Sequence, residues 1–592
     1  MRETPSLPLI LGLALILLAG SVLAWARIEG FDPNPFRAGW DALPLSADDA
    51  VRIVQVRDLA EGQGWFDHRQ TRLGAGEATE MHWSRLVDAP LLALRALAET
   101  AVPGDQAERA MAAVWPRILA LPWLVLSLGI AGRLAGRPGV WAASLLLLPA
   151  ALLTSEFFPG RVDHHNVQLV LVLAVAAALI GARERPWLAL AAGLAAAASL
   201  AIGLETLPVL AAAGAAVALA WALGDAGSVA RRFGLGLAGG VPIAMATLPP
   251  RVVWTPLCDQ LSLATAVPLV LAGLGLAGLT LALDGAGRPA RLAAVAGLLV
   301  AAVAAGLPLA AGCLAGPYAD LPPDLLREMD ALVERRTLAA AFAHDPADSL
   351  YRLVLWPLTG LAGLAAASLA PSGRRFVPGL LLVMGAFATA TAWVELRGVR
   401  LALPLATFGG VWLLARIATE RGPGRAALAV AAPALLIAVT PLGPLLTPGM
   451  ADPDGPGPAG GHNPAEVRAC TADAETAPLA ALPPGRVLAA VNLGSVLLLK
   501  TPHHVIAAPY HRAPRGLAAG FRLPRARAAD VRAMAAELAA DYLVVCDGYW
   551  GGGPGPGSLY ADLAAGRRPD WLTPLPGAAR LKAYAIRPAP DP

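Results

Sequence analysis

The sequence is short of charge. Only 15% of its 592 residues are Asp, Glu, Lys or Arg, where soluble domains carry about a quarter, so a conventional cytosolic protein is excluded. Disorder is excluded as well, because 56% of the residues are hydrophobic and such a chain has ample apolar surface to bury. No basic block is present. Formal charge is +3, from 46 Lys and Arg against 43 Asp and Glu, and the cations, nearly all Arg, are scattered, which argues against nucleic acid as a partner. The 61 Gly follow no triplet period, which excludes collagen, and no internal repeat is visible. Cysteine is scarce, with four in all. What the chain has in excess is long apolar runs. Together with a mean hydropathy of +0.57 they point to a polytopic membrane protein.

Apolar runs of about 17–25 residues read as membrane-spanning helices. They fall at about 7–25, 113–132, 139–158, 166–182, 187–202, 206–224, 233–248, 264–284, 291–312, 351–370, 376–393, 401–418 and 426–446, about thirteen in all. Helices are required because lipid offers backbone amides no partners. Short cytoplasmic loops are enriched in Arg and Lys. With the N-terminus inside, alternate loops carry Arg133 and Arg137, Arg183 and Arg185, Arg231 and Arg232, Arg288 and Arg291, Arg374 and Arg375, and Arg416, Arg421 and Arg425. An odd number of spans then places the C-terminal part on the periplasmic face of a bacterial inner (plasma) membrane. Residues 7–25 read as an uncleaved anchor. Ala24-Trp25-Ala26 resembles a cleavage site, but the apolar run is longer than a usual signal core.

This reading divides the chain into three parts. Residues 1–446 form a transmembrane domain with long outer loops at 26–112 and 313–350, residues 447–461 a Pro/Gly-rich linker, and residues 462–592 a periplasmic α/β domain. In the last, VLAAV (487–491), VIAAP (505–509) and DYLVV (541–545) read as strands and 528–540 as a helix. All four cysteines, Cys258, Cys313, Cys470 and Cys546, fall outside by this topology. An oxidising compartment favours bridges, while free buried thiols stay open as a reading and sequence alone does not give the pairing.

Chemistry is expected where ionisable groups crowd a membrane edge, because charges there are costly. In SADDAVRIVQVRDLAEGQGWFDHRQ, Asp48 and Asp49 open an amphipathic helix, a pattern that a helix cap also produces. In FFPGRVDHHNVQ, Asp163, His164 and His165 occupy a very short outer loop, and carboxylate with imidazole is a divalent-metal set. Glu334 stands in the loop 313–350 and Glu205 at the lip between two apolar spans. Arg397 and Arg400 stand at the outer lip before the twelfth span. Arg offers a fork for phosphate oxygens, although a snorkelling anchor looks the same.

Taken together, these clusters resemble the membrane-embedded C-type glycosyltransferases (GT-C), most of all the catalytic subunit of the oligosaccharyltransferases. Asp48/Asp49 match the family's acid after the first span, and WFDHR (65–69) is similar to its WFDDR-like stretch. Gly160-Arg161-Val162-Asp163-His164-His165 fits its G-x-x-D-x-[D/E/H] motif. Leu332-Val333-Glu334 stands where the family has a Ser-Val-Ser-Glu-like motif, without the serines, and Arg400, then Arg397, match its phosphate-binding Arg. The hallmark WWDYG is missing. The corresponding stretch reads Ala490-Val491-Asn492-Leu493-Gly494, which puts recognition of an Asn-x-Ser/Thr sequon in doubt.

The resemblance implies a GT-C-like helical membrane domain with a C-terminal α/β domain. It implies transfer of a sugar or oligosaccharide from a polyprenyl-(pyro)phosphate donor to a glycan, lipid or protein acceptor, metal-assisted and inverting. Mg²⁺ or Mn²⁺ would sit on Asp49 (or Asp48), Asp163 and His165, donor phosphate on Arg400 and Arg397, and Glu334 would serve the acceptor. His164, Glu205, His82, Arg85, Asn492 and His511 are candidate acceptor-side or supporting residues. A transporter or flippase would also have many spans, but would carry polar groups and broken helices at mid-bilayer, and here the acids crowd one face. A scaffold protein is the remaining alternative.

Overall fold

The structure is a computed structural model that describes residues 5–28, 34, 39–153, 155–316, 318, 321–330, 337–370, 375–419, 464–546, 555–577 and 579–587. Each apolar run within those residues folds as a helix. Among the described residues, eight helices are long and apolar enough to cross a membrane. His165–Gly181 and Trp187–Ile202 are apolar but shorter. The run at 426–446 and the 447–461 linker lie outside the described residues.

One of the eight belongs to a 50-residue helical stretch, Gly104–Leu153, that is broken at Gly136 (φ 69°, ψ −156°). That conformation favours glycine. A side chain on Gly139 would strike the carbonyl of Ala131, a group about 12 Å away in an unbroken helix. The chain therefore turns back on itself at Gly136, as the separate runs at 113–132 and 139–158 require. The second arm ends at Leu153, so Glu156 and the GRVDHH loop lie beyond the helix.

Two regions stand outside the apolar helices. The first holds the helix Ala47–Ala60, a small hairpin of β1 (Arg69–Gln70) and β2 (Thr79–Glu80), and the helix Arg85–Glu99. Ala47–Ala60 starts with a capping box: the Ser46 hydroxyl accepts the Asp49 N–H and the Asp49 carboxylate accepts the Ser46 N–H. The second region is C-terminal. Its five-stranded sheet runs in the order β4 (His504–Val505), β3 (Arg486–Leu488), β5 (Tyr542–Cys546), β7 (Leu581–Ile586), β6 (Leu572–Pro574). β3 is parallel to β4 and β5, whereas β7 is antiparallel to β5 and β6.

The sheet corrects several boundaries. The strand expected over 487–491 stops at Leu488, because Ala490 caps a helix, Val491–Lys500, that buries Leu493, Leu497 and Leu498. The strand expected at 505–509 keeps only its first residue, and the helix 528–540 ends at Glu537. β6 and β7 were not expected at all. The four cysteines form two disulfides, Cys258–Cys313 and Cys470–Cys546.

The two outer regions share one hydrophobic core, in which Val51 and Val54 pack with Leu493, Leu497 and Val544. Backbone contacts join them too: Val505 donates to the Arg72 carbonyl at 2.8 Å, and Gly74 to the Val505 carbonyl at 2.9 Å. The same core takes in Val162 of the GRVDHH loop.

Candidate active site

The GRVDHH loop turns at Gly160 (φ 94°), where a side chain would also meet Leu43 and Leu45. The turn presents the N–H groups of Val162 and Asp163 to Asp49 Oδ1, at 2.8 and 2.9 Å. Asp49 Oδ2 accepts from the Ser46 amide, the Ser46 hydroxyl and Arg161 Nη1, at 2.8, 2.7 and 2.7 Å. Both oxygens of this fully buried carboxylate are thus engaged, and Asp49 ties the first outer helix to the DHH loop. Asp48, one residue earlier, is half-buried. It accepts a hydrogen bond from the buried Tyr510 hydroxyl at 3.1 Å. Burial first, then the nearby Asp48 and also Asp163, push the Tyr510 phenol well above its ordinary pKa.

Asp163 is the centre of the cluster. Its Oδ1 lies 2.6 Å from His164 Nδ1 and its Oδ2 3.2 Å from His165 Nε2. Burial would raise its pKa, but the two imidazoles and Arg52 hold it well below the carboxylate range. His164 Nε2 faces Glu205 at 3.3 Å. Burial disfavours the charged ring, yet Asp163 and Glu205 overcome this and raise His164 to about 10. Ligand atoms of Asp163, His164 and His165 lie within 4.8 Å of one another, and of these Asp163 and His165 supply a carboxylate and an imidazole of the kind a divalent metal takes. Of the expected ligands, Asp163 and His165 are brought together. Asp49 joins the group by accepting the peptide N–H bonds of Val162 and Asp163.

Cations surround this centre. Glu156, buried, bridges Arg161 (3.2 Å) and Arg400 (2.9 Å). Burial would raise its pKa, but Arg400 and Arg161 lower it to about 2. Arg397 pairs with Glu395 at 2.6 Å. His165, Gln168, Glu205, Arg397 and Arg400 line a cavity of about 70 Å³, so one of the expected metal ligands, His165, shares a space with both expected phosphate-binding arginines. Arg52, fully buried, bonds Asp88 (2.8 Å), stands 3.3 Å from His164 Nδ1 and lies over the Trp83 ring. Arg85 bonds the other oxygen of Asp88 at 3.0 Å, one layer behind the cluster.

The remaining candidates are placed elsewhere. His82 and His511 join Asp259 in a second group. Asn492 lies in the first turn of Val491–Lys500, between buried Val491 and Leu493. Glu334 falls outside the described residues. Sequence reading missed Arg52, Asp88, Glu156 and Asp259. Arg52 carries the clearest signal, a charge between Val51 and Ile53 in a run that the structure buries entirely. Glu156, set against Phe157 and Phe158, is similar.

No known family profile and no curated protein matches the chain in sequence. Its fold is similar to crystal structures of the oligosaccharyltransferase of Archaeoglobus fulgidus. The apo form aligns with a TM-score of 0.59 at 14% identity, over 90% of this chain and 69% of that one. The form tethered to an acceptor peptide containing an NVT sequon gives 0.61 with the same identity and coverage. A complex with Zn and sulfate gives 0.59 at 14% identity, over 90% and 68%. At this identity the likeness is one of fold.

Proposed function

We propose that this chain is a membrane glycosyltransferase that moves a sugar or oligosaccharide from a polyprenyl-(pyro)phosphate donor to an acceptor at the outer membrane face. The observation that carries the reading is the Asp163–His164–His165 cluster, with Arg161 and Arg400 paired to the neighbouring Glu156, on an oligosaccharyltransferase-like fold. A Zn-containing form and a dolichol-phosphate complex of the archaeal enzyme agree with metal and lipid phosphate at such a site.

Asp163, His165 and Asp48 are the residues to hold Mg²⁺ or Mn²⁺, which supplies Lewis-acid stabilisation of charge on a departing phosphate. Arg400 and Arg397 bind the donor phosphates. Tyr510 orients Asp48, and His164, held between two carboxylates, fixes the Asp163 side chain. Glu334 orients or deprotonates the acceptor. A single displacement with a carboxylate base inverts the anomeric centre. The rest of the reading is of a piece with this: about thirteen spans, the N-terminus cytoplasmic, and domains at 1–446 and 462–592 joined by 447–461, in a bacterial inner membrane.

The test is release of free polyprenyl (pyro)phosphate from a labelled lipid-linked donor by purified protein. Release that needs the metal and is lost in Asp163→Asn supports the reading. A protein that translocates the donor intact is a flippase instead.

A further inference from the structure

His82, Asp259 and His511 come from three separate stretches of chain and meet at one point. His82 follows β2, Asp259 lies in the turn before the helix Leu263–Ala282, and His511 follows β4. One ligand atom from each lies within 4.8 Å of the others, and all three side chains are half-buried. His511 Nε2 is 2.9 Å from Asp259 Oδ2, and the two imidazole centroids are 5.2 Å apart.

The surroundings hold these donors in place. Arg512 forks onto Asp259, with Nε 3.1 Å from Oδ2 and Nη2 2.8 Å from Oδ1. The Gln260 amide donates to the His82 carbonyl, and Tyr318 stands edge-on to His511 at 4.8 Å. Cys258, next to Asp259, is bridged to Cys313. Hydrogen-bonded support of a ligating carboxylate is the usual second layer of a metal site.

Two imidazoles and one carboxylate are a zinc-type set, with a fourth position left for water or another ligand. Tetrahedral ligands about 2.1 Å from an ion stand about 3.4 Å apart, so the three atoms need only small side-chain rotations. The charge of Arg512 opposes a cation. Donors that bind through nitrogen rather than charge therefore decide the preference, against Mg²⁺ and Ca²⁺ and for a transition metal.

We propose that His82, Asp259 and His511 form a second metal site, for Zn²⁺ by preference, that clasps the first outer region, the 255–262 turn and the C-terminal region together. It uses none of the residues of the Asp163 cluster, so it stands whether or not the chain transfers a sugar.

The experiment counts bound zinc. Full-length protein in detergent is stripped with chelator, dialysed against Zn²⁺ and analysed for metal, in an Asp163→Asn/His165→Ala background that removes the other cluster. That background should keep one zinc per chain, and adding His82→Gln and His511→Gln should remove it. With Co²⁺ in place of Zn²⁺, visible d–d absorption should appear in the background protein and vanish in the quadruple variant. Equal zinc content with and without the two Gln substitutions overturns the site, as does no zinc in the background protein. Should the quadruple variant aggregate, His511→Gln alone serves. Zn²⁺ should raise the Tm of the background protein and not that of this variant, and an equal rise in both rejects the proposal.

Discussion

Tyr510 reaches from the C-terminal region to the first outer helix and shares its hydroxyl hydrogen between the Asp48 carboxylate, 3.1 Å away, and the Ala47 carbonyl, 3.0 Å away. Asp49, its neighbour in sequence, has both oxygens engaged. Asp48 is therefore the acid of the pair that Tyr510 holds, and Tyr510 is its positioning residue. Tyr510→Phe should cost about 1 kcal/mol of stability, as one hydrogen bond does, and lower turnover about tenfold, equivalent to ~1.4 kcal/mol at the transition state. Asp48→Asn should abolish turnover with an unchanged elution profile. Rates of polyprenyl phosphate release alongside Tm separate the two effects; equal activity of Asp48→Asn and wild type would remove Asp48 from the site.

Asp163→Asn and His165→Ala should each lower turnover by orders of magnitude while the protein stays folded and membrane-inserted. EDTA should have the same effect on wild type, with Mg²⁺ or Mn²⁺ restoring activity. The check is donor turnover across metal titrations. A double variant that turns over donor normally leaves these residues as a helix start and nothing more.

The apolar runs and the DHH loop were legible in the sequence because each has a local cause. Lipid demands long uninterrupted helices, and two imidazoles beside an acid have few structural reasons to exist. The sheet was less legible. Strand β3 ends after three residues because an apolar stretch, Val491–Lys500, turns helical and packs on the first outer helix, and nothing local marks that partner. Of the buried network of Arg52, Asp88 and Arg85, the sequence singled out only Arg85, as a candidate supporting residue. Its members are 32 or more residues apart for Arg52 with Ser84 and Asp88, so only the tertiary fold shows that they satisfy one another. Asp259 was invisible for the same reason: its partners His511 and Arg512 lie some 250 residues away.

Glu156 should set an acid limit to stability. Its folded pKa is lowered to about 2 from an ordinary 4.5, burial opposing and Arg400 and Arg161 prevailing. A depressed carboxylate contributes stability that is present above its unfolded pKa and lost as pH falls through the folded one. The window is therefore from about 4.5 down to about 2, and the loss is up to about 3 kcal/mol at 1.36 kcal/mol per unit. Glu156→Gln should be less stable at neutral pH, because Arg161 and Arg400 lose their shared partner, and should show a shallower fall of Tm in that window. Parallel Tm curves for the two proteins would show that Glu156 does not carry the acid sensitivity.

The membrane orientation is tested by reporter fusions. Fusions at Arg232 and Arg375 should read cytoplasmic, and fusions after Gly461 external. A cytoplasmic C-terminal region would put the Asp163 cluster on the wrong face for an outer-leaflet donor.

The acceptor is predicted from what the chain lacks. A site built to bind a hydroxyl rejects an analogue without it by ~10⁴-fold, because its polar groups are otherwise left unpaired in a closed pocket. The stretch that the resemblance sets against the hallmark WWDYG has neither its tryptophans nor its acid. Ala490 and Val491 are apolar and 1% and 3% exposed, Ala490 serves as a helix cap, and Asn492 replaces an acid in the first helical turn. The archaeal enzyme of similar fold has been seen tethered to an NVT-sequon peptide. Asn-x-Thr peptides should therefore not be acceptors, and a glycan, a lipid or a differently read protein site should take their place. Glu334→Gln should lower transfer to that acceptor, because its activation is needed whatever the nucleophile. The measurement offers purified protein a matched donor with a sequon peptide and with its Thr→Ala control. Neither should be glycosylated. Efficient modification of the first and not the second would show that this chain reads a sequon by residues other than 490–494.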